Sequence, residues 1–322
     1  MLFRGCTNHY VWGMENAMEK RPLGNTDLSI SPLGIGLAEI GFQLNSSQAD
    51  EAAAVLSMAL DSGINFLDTA GCYGVSEELI GRTVSGRRDE FVLASKTGHM
   101  NGECGEESWS YECVTASIER SLERLKTDHV DLMQLHSCPV ETLEEGDAIR
   151  ALLDAQKAGK TRYIGYSGDN DAVLWAARSG IFDTLQTSFN LADQKARYEL
   201  FAEVRKRTLG LIAKRPILNG AWRTPKDPDP YGNGYVSEYF RRQAELTAGI
   251  DRFLSEPDDR ILASLGFTLS HPEISTAIVG SRNPAHVKSN STMVGQMPID
   301  PAFLDAVHRR FDEVGSEWEQ RT

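Results

Sequence analysis

Two kinds of segment alternate along the chain from about residue 18 onward. Short, nearly continuous apolar runs are followed by longer segments in which apolar residues recur every three or four positions. The first pattern is typical of buried strands and the second of amphipathic helices. The runs that predict strands are 30–36, 64–68, 91–96, 129–136, 161–167, 182–190, 209–214 and 275–280.

A predicted helix follows each of these strands. The segment after the third strand shows this clearly, with apolar residues at helical spacing at Val114, Ile118, Leu122 and Leu125. The helix after the first strand is predicted to be capped by Ser46 or Ser47 and to end before Gly63. The predicted helices are 46–62, 76–84, 113–126, 143–160, 172–180, 194–207, 257–270 and 284–294.

This alternation predicts an α/β fold. Eight strand–helix units over a chain of 322 residues favour a single closed (β/α)8 TIM barrel. We expect an N-terminal β-hairpin that turns at Gly24-Asn25, and long loops at the face where the strands end. An open, doubly wound sheet is the structural alternative, but no G-x-G-x-x-G motif follows the first strand.

The patterned part of the chain, residues 18–322, is predicted to be one domain. No change of composition marks a second one, and the Pro-, Gly- and Asp-rich insert at 222–235 is predicted to be a loop over the barrel mouth. Residues 1–17 lack both the pattern and the features of a signal peptide. We expect a disordered extension there, with Met18 as the natural start.

Composition narrows the function classes. The net charge is −13, with 41% hydrophobic and 25% charged residues, as in ordinary globular proteins. No apolar run is long enough to span a membrane, and an acidic chain without a Lys/Arg cluster is a poor nucleic-acid binder. The five cysteines contain no C-x-x-C pair, which favours reduced thiols in a cytoplasmic protein. We expect no nucleic acid, membrane or metal; the oligomeric state stays open.

Candidate chemistry lies where the strands end, which is where active sites of such barrels form. The second, third and fourth strands end at or just before Asp68, Tyr73, Lys96 and His136. A lysine beside a phenol lowers the pKa of the phenol, and a carboxylate keeps the lysine charged. A histidine can then orient a carbonyl oxygen by a hydrogen bond. This group predicts a general acid for carbonyl reduction, with hydride supplied by a cofactor.

The segments that carry these residues resemble the aldo-keto reductase family, including its bacterial and sugar-dehydrogenase-like members. The stretch DTAGCYGVSE at 68–77 has the pattern D-T-A-x-x-Y-G-x-S-E. Further matching segments follow in the family's order: FVLASKTG, DHVDLMQLHSC, YIGYSGDN, LIAKRPILNGAW and IVGSRNPAHVKSN. The resemblance covers nearly the whole chain and implies a (β/α)8 barrel, an extended NAD(P)H and redox chemistry between carbonyls and alcohols.

The resemblance also implies roles for single residues. Tyr73 would be the general acid–base, Lys96 and Asp68 would tune it, and His136 would orient the carbonyl. The positions implied for the cofactor are Ser167, Asn170, Gln186, Lys214, Arg215, Gly280, Ser281, Arg282 and Asn290.

Three positions depart from the family pattern. Gly168 follows Ser167 where the family often has asparagine, so the second amide contact comes from Asn170 or is absent. Lys214-Arg215 replaces an aromatic residue that stacks on the nicotinamide in many members, a role that a cation or a guanidinium plane would take here. His286 replaces a second basic residue near the adenosine phosphate. We therefore expect NADPH as the cofactor, with NADH as the alternative, and a local positive region at Lys214, Arg215 and Arg282.

The substrate is a small carbonyl or alcohol whose identity the pattern leaves open. Apolar and aromatic walls are expected from Leu37, Phe42, Trp109 and Trp222. The first hypothesis is a reductase of aldehydes or ketones. A sugar or polyol dehydrogenase is a close variant, because the same site catalyses alcohol oxidation in the reverse direction. A cofactor-binding regulatory subunit and a Schiff-base lyase that uses Lys96 are alternatives from other classes.

Overall fold

Eight parallel strands form a closed barrel in which each strand pairs with its neighbours along the chain and the last pairs with the first. The structure is a computed structural model that describes residues 18–98, 108–222, 235–248, 250, 257–295 and 300–320. The barrel strands are β3 (Leu33–Gly36), β4 (Phe66–Asp68), β5 (Val92–Thr97), β6 (Val130–His136), β7 (Thr161–Ser167), β8 (Thr184–Ser188), β9 (Gly210–Lys214) and β10 (Thr276–Gly280). The predicted TIM barrel is confirmed.

Helices cover the outside of the barrel. They are α1 (Ala38–Gln43), α2 (Ala49–Asp61), α3 (Ser76–Thr83), α4 (Tyr111–Leu125), α5 (Val140–Glu145), α6 (Asp147–Lys157), α7 (Asn170–Ser179), α8 (Leu200–Arg207), α9 (Tyr235–Thr247), α10 (Pro257–Leu269), α11 (Pro284–Val294) and α12 (Pro301–Val314). The predicted apolar face of α4 is buried against the strands. Each such aliphatic side chain stabilises the fold by about 1.5–3 kcal/mol.

A short hairpin closes the N-terminal end of the barrel. β1 (Arg21–Pro22) and β2 (Ser29–Ile30) pair antiparallel, as predicted. Apolar side chains of the hairpin pack with residues of the barrel strands, in a cluster formed by Leu23, Leu28, Ile30, Phe66, Val92, Ala94, Leu132, Ile212 and Ile278. At the turn, Gly24 has a φ of 59°, and a Cβ there would lie 2.1 Å from the backbone nitrogen of Gly210. The open end of the barrel is therefore the end where the strands finish.

Some local predictions were wrong. The predicted helix 143–160 is two helices, because Gly146 at a φ of 83° breaks the backbone between α5 and α6. α2 begins after Gln48, without a cap from Ser46 or Ser47, since Asn45 binds the Ser47 amide in a turn of its own. Helices α1, α9 and α12 were not predicted. The N-terminal extension and most of the insert lie outside the described residues.

None of the described helices is long and apolar enough to cross a membrane.

Candidate active site

The ends of three neighbouring strands bring the predicted catalytic residues together. The ammonium Nζ of Lys96 lies 2.5 Å from Oδ2 of Asp68 and 4.9 Å from the ring centroid of Tyr73. The ring of His136 meets the Tyr73 ring edge-on, with centroids 5.7 Å apart. Strand register explains the proximity, because β4 pairs with β5 and β5 pairs with β6.

A tight turn after β4 holds Tyr73 above the lysine. The amide of Tyr73 donates to Ala70 O at 3.0 Å, and the amide of Gly71 donates to Lys96 O at 3.1 Å. Gly74 has a φ of 51°, and a Cβ on it would lie 2.4 Å from the carbonyl oxygen of Gly41 in α1. α1 is therefore pressed against the turn, an arrangement that needs glycine at both contact points.

Electrostatics at the centre are set by burial and by one ion pair. Burial works to lower the pKa of Lys96, but the carboxylate of Asp68 holds this pKa above its usual value. Burial raises the pKa of Tyr73, and Lys96 opposes that rise without cancelling it. The expected net lowering of the Tyr73 pKa is thus wrong for this structure, because burial outweighs the lysine. The phenol remains protonated at neutral pH and is able to donate.

A hydrogen-bonded chain connects Asp68 to two of the predicted cofactor residues. Nε2 of Gln186 donates to Asp68 Oδ1 at 2.9 Å, and the hydroxyl of Ser167 donates to Gln186 Oε1 at 2.7 Å. Gln134 also approaches Asp68 Oδ1, at 3.5 Å. Sequence reasoning missed Gln134, although its place two residues before His136 puts it on the same side of β6.

Lys214 and Arg215 bind a buried carboxylate that sequence reasoning also missed. Asp169, just after β7, has a fully buried side chain, and its Oδ2 lies 2.8 Å from Lys214 Nζ and 3.5 Å from Arg215 Nη1. Burial works to raise the pKa of Asp169, but the two cations hold it below its usual value. Asp169 therefore offsets one of the two positive charges expected at these residues. The sequence signal that could have revealed Asp169 is an acidic residue directly after a predicted strand, in the sequence Ser-Gly-Asp.

Asn170 is engaged by the C-terminal segment. Its Nδ2 donates to Gln320 O at 3.1 Å, and its Oδ1 accepts from the Gln320 amide at 2.9 Å. In this structure the Asn170 side chain therefore holds the C-terminal segment at Gln320.

The remaining cofactor candidates follow β10. Gly280 ends the strand, Ser281 is buried and Arg282 is exposed. Asn283 caps α11, because its Oδ1 accepts from the Ala285 amide at 2.9 Å. The exposed guanidinium of Arg282 suits a phosphate group, whereas the first amides of α11 already donate to Asn283. Farther along α11, His286 is exposed and Asn290 is half-buried.

The four predicted wall residues take different places. Phe42 is 56% exposed, and its ring centroid lies 5.7 Å from that of Tyr73. Half-buried Trp109 donates from Nε1 to the carbonyl oxygen of His136 at 3.0 Å. Leu37 is fully buried in the main core. Trp222 donates to Ser264 on α10 at 3.0 Å, so it is anchored on the outer helix layer.

Comparison with known proteins agrees with this geometry. The model of the aldo/keto reductase family matches residues 32–309. The chain belongs to this family.

Its relatives in the family are oxidoreductases. The uncharacterized oxidoreductase YqkF of Bacillus subtilis is 29% identical, over 85% of this chain and 90% of that protein. The L-galactose dehydrogenase of Arabidopsis thaliana is 27% identical, over 87% of this chain and 89% of that protein. Among solved structures, the holo form of aldo-keto reductase AKR11C1 from Bacillus halodurans has a TM-score of 0.74 and 25% identity, covering 91% of this chain and 96% of that one.

Within the described residues, no group of three His, Cys, Asp or Glu side chains is arranged to hold a metal ion.

Proposed function

We propose that the protein is an NAD(P)H-dependent oxidoreductase that reduces an aldehyde or ketone to an alcohol at Tyr73. The observation that carries this proposal is the buried ion pair of Lys96 and Asp68 beneath the Tyr73 ring. A charged lysine held there stabilises the phenolate that remains after Tyr73 has given up its proton.

Each residue at the centre has one part in the reaction. Tyr73 donates its phenolic proton to the carbonyl oxygen as the alcohol forms. Lys96 stabilises the resulting phenolate, and Asp68 keeps Lys96 charged and oriented. His136 donates a hydrogen bond to the same carbonyl oxygen and so orients the substrate.

The residues of the barrel mouth suit a nicotinamide cofactor, which when bound supplies the hydride. Ser167 and Gln186 offer a hydroxyl and an amide next to Asp68, where the carboxamide would be held. Ser281 and Arg282 would hold the phosphates of the adenosine half. Arg282 favours NADPH through bidentate binding of a 2′-phosphate.

Oxidation of a sugar alcohol is the second candidate, because the same groups catalyse the reverse reaction. In that direction the Tyr73 phenolate accepts the proton from the alcohol. The relationship to an L-galactose dehydrogenase favours this candidate.

The test is turnover at the nicotinamide absorbance band, with NADPH or NADH and a panel of aldehydes, ketones and sugars. Tyr73→Phe should lose turnover by about 10²–10⁴-fold, the usual contribution of a general acid. It should still bind cofactor, measured by quenching of tryptophan fluorescence. Tyr163→Phe is the matched control, because that hydroxyl contacts Asp27 at the hairpin. Equal turnover in Tyr73→Phe and wild type would rule out the mechanism.

A further inference from the structure

The thiol of Cys72 contacts the histidine of the proposed active site. Cys72 directly precedes Tyr73, and its Sγ lies 3.4 Å from Nδ1 of His136. The side chain of Cys72 is half-buried. Neither the sequence motif nor the proposed reaction assigns it a role.

Both partners of this contact are held by their backbones. The hydrogen bonds of the Gly71 and Tyr73 amides, at 3.1 and 3.0 Å, restrain the turn on either side of Cys72. His136 ends β6, and its carbonyl oxygen accepts from the Trp109 indole at 3.0 Å. The Sγ–Nδ1 contact therefore joins two restrained positions. Such a contact can determine which nitrogen of the imidazole carries the proton.

A neutral imidazole has one donor nitrogen and one acceptor nitrogen, and a partner at one nitrogen decides which of the two carries the proton. A thiol that donates to Nδ1 leaves the proton on Nε2. We propose that Cys72 is a positioning residue that holds His136 in the Nε2–H tautomer, so that Nε2–H is the donor to the substrate carbonyl. This proposal rests on the proposed function, since only carbonyl orientation requires that donor.

Kinetics test the proposal with three variants. Cys72→Ala should lower kcat by roughly 3- to 10-fold, the size expected for one net hydrogen bond, and leave the KM for the cofactor unchanged. Cys72→Ser should recover most of the loss, because a hydroxyl also donates to Nδ1. Cys138→Ser is the matched control, a thiol change two residues after His136, and should leave kcat as in wild type.

Nitrogen NMR of histidine-labelled protein gives a readout that packing alone would not change. In wild type, Nδ1 of His136 should show the shift of an unprotonated nitrogen and Nε2 that of a protonated one, with the signals assigned from His136→Asn. Both signals should move toward the tautomer average in Cys72→Ala and return in Cys72→Ser. A protonated Nδ1 in neutral wild-type His136, or unchanged signals and kcat in Cys72→Ala, would overturn the proposal. The NMR result needs no turnover, so a wild type that reduces no carbonyl would reject the proposed function separately.

Discussion

Replacing Gln320 by alanine should loosen the attachment of the C-terminal segment to the end of β8 and the start of α7. The side chain is 5% exposed, and its Nε2 donates to Ser188 O at 2.6 Å and to the Thr187 hydroxyl at 3.2 Å. Its Oε1 accepts from the backbone amide of Asn170 at 3.1 Å. One amide thus connects the C-terminal segment to the end of β8 and to the start of α7.

The expected loss follows from the groups that alanine would leave without their partner. Thr187 keeps its bond to Asp169, at 2.9 Å, but the Ser188 carbonyl and the Asn170 amide each lose the Gln320 side chain. A buried polar group left unsatisfied costs about 1–3 kcal/mol, so the free energy of unfolding should fall by roughly 2–4 kcal/mol, allowing for water that enters. At about 2 °C per kcal/mol for a large domain, Tm should fall by about 4–8 °C.

Thermal unfolding followed by circular dichroism measures this change. Ser316→Ala, at an exposed position in the same segment, is the control and should stay within about 0.5 kcal/mol of wild type. Gln320→Glu keeps the acceptor for Asn170 but sets an acceptor against the Ser188 carbonyl, so it should also be destabilised. The reasoning fails if Gln320→Ala unfolds at the same temperature as Ser316→Ala.

Three further changes have defined outcomes. Gly74→Ala should destabilise the turn and reduce kcat, because a Cβ at 2.4 Å from Gly41 O forces α1 away from it; unchanged unfolding and turnover would contradict this. His286→Arg should raise the preference for NADPH over NADH, measured as the ratio of the two Kd values, because it adds a fixed cation on α11; an unchanged ratio would place the 2′-phosphate elsewhere. Burial, aided by Arg197, lowers the pKa of His308 to about 4 from the usual 6.5, so the unfolded chain binds the proton first as pH falls. The free energy of unfolding should therefore be highest above pH 6.5 and should fall by at most about 3 kcal/mol as the pH drops to 4. His308→Gln should flatten the accompanying decline in Tm across that range.

The barrel and the centre of its site were predictable because both depend on local patterns. A buried parallel strand is a short apolar run, and the polar residue that ends the run faces the barrel mouth. Asp68, Lys96 and His136 all occupy such ends, and pairing between adjacent strands brings them together.

What could not be predicted depends on contacts between distant segments. Gln320 meets Asn170 across 150 residues, and no local periodicity marks such a pair. Asp169 could not be singled out from the sequence, because only the assembled fold places Lys214 beside it. The pKa of Tyr73 was misjudged for the same reason, since the depth of its burial is a property of the assembled barrel.

Closure of the barrel places a demand on synthesis of the chain. Leu33 in β3 pairs with Ala277 in β10, a separation of 277 − 33 = 244 residues. At roughly 5–20 residues per second, the ribosome takes about 12–50 s to make that intervening stretch. Throughout this time β3 has an unpaired edge, the kind of surface that recruits other chains. The ring of strands that assembles the active site is thus completed only late in synthesis, after β10 has been made.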